Sequence, residues 1–279
     1  MTDADPKDAT LGLVCWPDWR RHEAYHYARR LTRTAWAWEF LRRNPQFQRD
    51  HAKIAPPACI VRTRADTEII ELTTRSSCLR QWSLLFRGCA TIGRHVGKGL
   101  LDPRDCARVL RAAAEPVGLD HNFEPLDLSS LSCGKDILMT PAGMQHVLLR
   151  EDCRSLQIAV SGASVLCPLR LYVDAIVPPR HLKFHVAALQ FLNDINGCGR
   201  LAAACLPPEP RGGRLRIVLQ ALDGSLAGAS HQEIAIALFG RRRVEEDWSH
   251  PGNHLRDQVR RAIQRGRYLM GGGYRQFLM

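Results

Sequence analysis

Apolar residues recur at helical spacing near both ends of the chain, and as short β-prone runs in between. That pattern predicts an α+β protein, mostly helical, with a small N-terminal helical domain, a short antiparallel β-meander and a C-terminal helix-turn-helix bundle. In residues 1–58, Asp18 is placed to cap a helix running to about Leu31. A second helix over Thr34–Arg43 sets Trp36 and Phe40 one turn apart. Asn44-Pro45 closes that helix and opens a third through His51, and Pro56-Pro57 ends the segment. Eight aromatic residues between Trp16 and Phe47 make this a small helical core.

Residues 59–134 form a connecting region whose order the pattern leaves open. Ile60–Arg64 and Thr67–Thr74 suggest strands; Leu79–Phe86 and Pro103–Glu115 suggest helices, the second capped by Asp102. Glycines 88, 93, 97 and 99 punctuate the region. From 135 to 279 the grammar is strands and then helices. His146–Leu149, Leu156–Val160 and Val165–Val173 predict the meander. Pro178-Pro179 opens a helix to Ile195 with Leu182, Val186, Leu189 and Leu192 or Ile195 as its apolar stripe, and Asn196-Gly197 is its stop. A Pro-rich linker covers residues 206–213.

The last quarter carries the chemistry. A helix over Arg214–Leu222 ends at Asp223-Gly224. Ser230-His231-Gln232-Glu233 has the spacing of a capping box and opens a helix that stops at Gly240. A third helix, from about Asn253 to Met270, gathers Leu255, Val259, Ala262, Ile263, Gly266, Leu269 and Met270 on one arc. The opposite arc holds Arg256, Asp257, Arg260, Arg261, Gln264, Arg265, Arg267 and Tyr268, the arrangement that insertion into a major groove requires. Arg241, Arg242 and Arg243 fall in the turn before it, placed for phosphate contact. Asp257 is discordant there, unless it pairs with Arg261 or accepts from a cytosine amino group. The candidate DNA-binding residues are therefore Ser230, His231, Gln232, Arg241, Arg242, Arg243, Arg256, Arg260, Arg261, Gln264 and Arg265.

Charge strengthens this picture. The chain has a formal charge of +11, and from residue 211 onward it carries twelve Arg and no Lys against six acidic residues. Such an excess favours an anionic partner. A membrane is excluded as that partner, since the most apolar stretch, Leu156–Leu169, is short and broken by Ser161, Gly162 and Ser164. The N-terminus shows no secretory signal, so the expected location is the cytoplasm, and the ten cysteines read as reduced, buried thiols. No CxxC pair occurs, and no cofactor or metal is expected.

One short motif points elsewhere. His22-Glu23-Ala24-Tyr25-His26 matches the H-E-x-x-H of zinc peptidases, but a third ligand at usual spacing is absent, and so is a strand to shape a cleft. Phosphate-binding, nucleophile-elbow and dinucleotide motifs are missing too, so no catalytic residue is assigned and an enzyme is not expected.

Longer strings carry a resemblance. Asp18-Trp19-Arg20, Tyr25 and Ala35 through Pro45 resemble the transcriptional-regulator-like domain of unknown function 6499, over about residues 15–50. Ala229 through Gly240, Asp247-Trp248, the Arg256–Ile263 run and Gly272-Gly273-Tyr274-Arg275 resemble domain of unknown function 2285, over most of 140–279. Such fused proteins resemble activators of conjugative-element excision and transfer in proteobacteria, and the resemblance implies a variant helix-turn-helix. Stand-alone relatives of the second domain look like anti-activators. The expected partners are double-stranded DNA, RNA polymerase or an anti-activator protein, and a second copy in a homodimer. The competing reading is an interaction module that regulates another transcription factor without touching DNA.

Overall fold

The computed structural model describes residues 16–53, 59–64, 67–72, 80–85, 100–118, 125–151, 154–173, 179–198, 208–248 and 254–279. In chain order these include helices α1 (Arg33–Leu41) and α2 (Pro45–Lys53), then strands β1 (Cys59–Arg64), β2 (Thr67–Leu72), β3 (Val109–Pro116), β4 (Gly134–Met139), β5 (Gln145–Glu151), β6 (Arg154–Gly162) and β7 (Leu169–Val173). Helices α3 (Leu182–Cys198), α4 (Gly212–Leu226), α5 (His231–Phe239), α6 (Arg241–Asp247) and α7 (His254–Met270) complete the chain, with short 3-10 turns between elements. Pro56-Pro57, glycines 88, 93, 97 and 99, and Pro178, used in the sequence reading, lie outside the described residues.

The chain divides into two compact units, neither of them continuous in sequence. Among the described residues, one comprises 16–52 and 208–277, and the other comprises those from 53 to 198 together with 278–279. These units cut across the three linear segments 1–58, 59–134 and 135–279.

In the second unit the strands form one mixed sheet in the order β1-β2-β4-β5-β6-β3-β7. β4, β5 and β6 run antiparallel in sequence order. The expected third meander strand does not pair with β6; β7 pairs with β3, which is inserted parallel to β6. Residues 103–115, expected as a capped helix, therefore contain a strand. Alanine hid a period of two: Leu110, Ala112 and Ala114 are buried while Arg111, Ala113 and Glu115 are exposed. Pairing on both sides outweighs the helix propensity of three alanines. Asp102 still caps, accepting from the Arg104 amide at 2.9 Å, but it caps a turn. Of the expected helix Leu79–Phe86, whose two end residues lie outside the described residues, Arg80–Trp82 forms a 3-10 segment.

One sheet face is packed by α3. Its buried stripe is Ala188, Phe191 and Ile195, with Phe184 and Leu192 beside them, against Leu110, Ile137, Val147, Leu149, Ile158 and Val160. The expected stripe is misphased, since Leu182, Val186 and Leu189 are exposed. The helix is apolar on more than one side, and only the sheet selects the face carrying the two phenylalanines. It also runs through Asn196-Gly197 to Cys198.

The first unit is helical. Asp18 caps no long α-helix; it accepts from the Arg20 amide in a turn, and His22–Arg30 forms a 3-10 segment. Thr32 caps α1, accepting from the Ala35 amide, and Asn44 caps α2, accepting from Gln46 and Phe47. Trp36 and Phe40 stack at 5.8 Å inside the unit, and Trp19 packs among the C-terminal helices, so these aromatics are core. α4 runs past Asp223-Gly224 to Leu226.

Candidate nucleic-acid interface

The C-terminal elements build the candidate surface. α5 opens on a complete capping box: the Ser230 hydroxyl accepts from the Glu233 amide at 3.2 Å, and the Ser230 amide donates to the Glu233 carboxylate at 2.7 Å. That bond holds the Glu233 carboxyl below its ordinary range. Ser230, His231 and Gln232 are exposed at this start. α5 ends at Gly240, whose φ of +88° lets the chain turn straight into α6.

Arg241, Arg242 and Arg243 are thus on a helix and not in the expected turn. Each is exposed and paired one turn on: Arg241 with Glu245 at 3.8 Å, Arg242 with Glu246 at 3.0 Å and Arg243 with Asp247 at 3.8 Å. α6 carries no net charge, so it adds little long-range attraction for an anion. Its Val244 is buried with Ile234, Ala235, Val259, Ala262 and Ile263, which joins α5, α6 and α7 in one core.

α7 is amphipathic as predicted. Leu255, Val259, Ala262, Ile263, Gly266 and Leu269 are buried, whereas Arg256, Arg260, Arg261, Gln264, Arg265, Arg267 and Tyr268 are exposed. Asp257 pairs with Arg260 at 3.1 Å, not with Arg261. Arg256 stacks over Trp248 and Arg265 over Tyr268; Arg265 also donates to Gln276 at 3.1 Å. Arg261 has no partner among the described residues. The face therefore presents guanidinium groups, several of them oriented by aromatic rings but with N–H donors left to give.

What fixes α7 was not foreseen from sequence. Asp223, buried in α4, accepts from Arg43 at 2.7 Å and from the Tyr25 hydroxyl at 2.6 Å. Arg43 also donates to Glu39 at 2.6 Å, and Arg42 donates to the same carboxylate at 2.7 Å. Burial opposes charge on Arg43 and Glu39, but Asp223 and then Glu39 outweigh it at Arg43, which is shifted up, and Arg43 with Arg42 outweigh it at Glu39, which is shifted down. Burial, and then Asp223, pushes the Tyr25 phenol up. Asn44 donates to the Met270 carbonyl at the end of α7, at 2.9 Å, and Arg33 donates to the Gln276 carbonyl at 2.6 Å. The only hint in the sequence was several charged residues set within an aromatic-rich segment.

His22, the first histidine of the H-E-x-x-H string, accepts from the Arg216 guanidinium at 2.8 Å. Burial and that cation hold its pKa down. Among the described residues no group of three or more His, Cys, Asp or Glu side chains could hold a metal. Among them, too, no helix is long and apolar enough to cross a membrane.

A capped helix packed against a second helix with an exposed arginine face is an arrangement that helical nucleic-acid-binding modules also use. The comparisons speak to particular families. Residues 180–279 match the family described as T6SS, transcription factor, DNA binding domain. Residues 18–87 match the proteobacterial transcriptional regulator-like domain. Together they support a DNA-binding, transcriptional regulator-like protein. The second match reaches beyond the expected 15–50 to include β1 and β2, while β3 through β7 lie outside both. No curated protein matches the chain.

Proposed function

We propose that this chain is a transcription activator that binds double-stranded DNA with α7 as the recognition helix. The observation that carries the reading is the exposed arginine face of α7, backed by a fully buried apolar arc. Arg260, Arg261, Gln264 and Arg265 read or straddle the groove, with Arg256 at one end. Ser230, His231 and Gln232 at the start of α5 give phosphate contacts near a helix N-terminus. Arg241, Arg242 and Arg243 act as exchangeable contacts, because exposed ion pairs give way to phosphate at small cost.

The resemblance to conjugative-element activators supports promoters of excision and transfer genes as targets, with RNA polymerase or an anti-activator as protein partner. The protein acts in the cytoplasm, as a homodimer on paired half-sites, and without catalysis; the Arg216 contact engages His22, the residue a zinc peptidase would need as a ligand.

The test is fluorescence anisotropy with duplex DNA from upstream of the neighbouring genes, titrated with salt. Affinity should fall by orders of magnitude between about 50 and 200 mM salt if six or more phosphates are neutralised. Arg261→Ala should weaken specific binding by about tenfold or more, the scale of one lost base contact. Absence of binding at low salt, with the fold intact, would instead favour the interaction-module reading.

A further inference from the structure

Among the described residues, the sheet face opposite α3 borders a cavity of about 870 Å³, within the size range of small-molecule sites. Strand register explains its floor. Leu138, His146, Ala159 and Arg111 are aligned in one row across β4, β5, β6 and β3. Their sequence neighbours Ile137, Val147, Ile158 and Leu110 point to the α3 side.

His146 is 2% exposed, and its buried Nδ1 has no hydrogen-bond partner among the described residues. A buried polar atom left unpaired is costly, and a site built to receive a ligand is one place where that cost is recovered. Arg111, two strands along the row beyond Ala159, has one Nη fixed to the Pro103 carbonyl at 2.6 Å and lines the cavity. Arg80 and Arg104 line the same space, and a single carboxylate, Asp102, answers them; it is already paired with Arg104 at 2.8 Å. Apolar walls come from Leu72, Met144 and Val173.

We infer that this cavity is a binding site for a small organic acid with a flat apolar body, its carboxylate held by Arg111 and its edge hydrogen-bonded by His146. A cationic end, apolar walls and one unpaired ring nitrogen on the floor are complementary to that chemistry. Most of the site, including Arg111 and His146, lies outside both family matches. It stands independently of the reading of α7.

The experiment is isothermal titration of the full-length protein with 6-hydroxy-2-naphthoate, with 6-hydroxy-2-naphthamide, 2-naphthoate and inorganic phosphate as controls. Saturable 6-hydroxy-2-naphthoate binding is expected, with the amide weaker by about tenfold or more for loss of the charged hydrogen bond, and 2-naphthoate weaker for loss of the hydroxyl that His146 would bond. Phosphate should not compete. Arg111→Gln should weaken 6-hydroxy-2-naphthoate by about tenfold or more, and Ser161→Trp, at an exposed position on the rim, should block it. Circular dichroism melts identify any variant that fails to fold. No saturable binding of 6-hydroxy-2-naphthoate would overturn the assignment, as would equal affinity for the amide or for 2-naphthoate, competition by phosphate, or binding untouched by Arg111→Gln in a folded protein.

Discussion

Arg43 sits at 1% exposure between two carboxylates that also accept from Tyr25 and Tyr27, and its charge is tolerable only because Asp223 and Glu39 are both in place. Removing one member of such a cluster strands the others in a low-dielectric interior. Arg43→Met or Asp223→Leu alone should each destabilise the helical unit by about 3–5 kcal/mol in denaturant titrations. The double variant Arg43→Met/Asp223→Leu should lose less than the sum, because it leaves fewer orphaned charges. Additive losses would show that the pair is not coupled. His146 makes a pH prediction. Burial lowers its pKa to about 4, with Asp102 pulling weakly the other way and Arg80, Arg104 and Arg111 lining the same cavity. The unfolded chain takes up this proton near pH 6.5 and the folded chain near 4, so stability of the sheet unit falls as pH drops through that window. The loss attributable to His146 approaches about 3 kcal/mol at pH 4. His146→Asn should flatten that acid limb in melts recorded from pH 7 to 4; an unchanged limb would mean that the proton is taken up elsewhere.

At the scale of elements, the contact of α4 with α7 decides where the arginine face points. Gly266 allows it: a Cβ there would lie 2.9 Å from the Leu222 Cβ and 3.2 Å from the Val218 carbonyl oxygen. Neither atom is the end of a flexible chain, so α7 must shift to admit a methyl group. Gly266→Ala should cost about 1–3 kcal/mol despite alanine's better helix propensity. It should also weaken DNA binding, by moving the whole face and not by removing a contact. A thermal melt paired with the anisotropy assay separates these effects. A more stable variant would mean that helix propensity outweighs the close approach. α6 shows the complementary case: three arginines that look like a phosphate clamp in sequence are matched turn by turn with acids.

For the whole molecule, the important fact is that the helical unit is assembled from the two ends of the chain. Trp19 packs with Ile234, Val244 and Val259; Phe40 stacks on Phe277; the Trp19 carbonyl accepts from Gln220 at 2.9 Å; and the Leu31 carbonyl accepts from the Glu209 amide at 3.0 Å. A fragment spanning 208–279 alone should therefore lack a cooperative thermal transition, since it would expose apolar surface and bury Asp223 without Arg43. Adding a peptide spanning residues 16–53 should restore the transition. A fragment that melts cooperatively by itself would show that the N-terminal segment is accessory.

Local elements whose signals are short in range were legible from the order of residues alone. The Ser230–Glu233 box, the Asn44-Pro45 junction and the two-sided character of α7 follow from caps and from spacing within a few turns, and each is present. Only tertiary structure decided which of two apolar faces α3 buries, and whether alanines 112–114 extend or coil. It also decided which distant acid meets Arg43. Those outcomes depend on partners remote in the chain, Asp223 lying 180 residues from Arg43, and a one-dimensional pattern carries no information on which pairing removes the most apolar surface from water while leaving no charge alone.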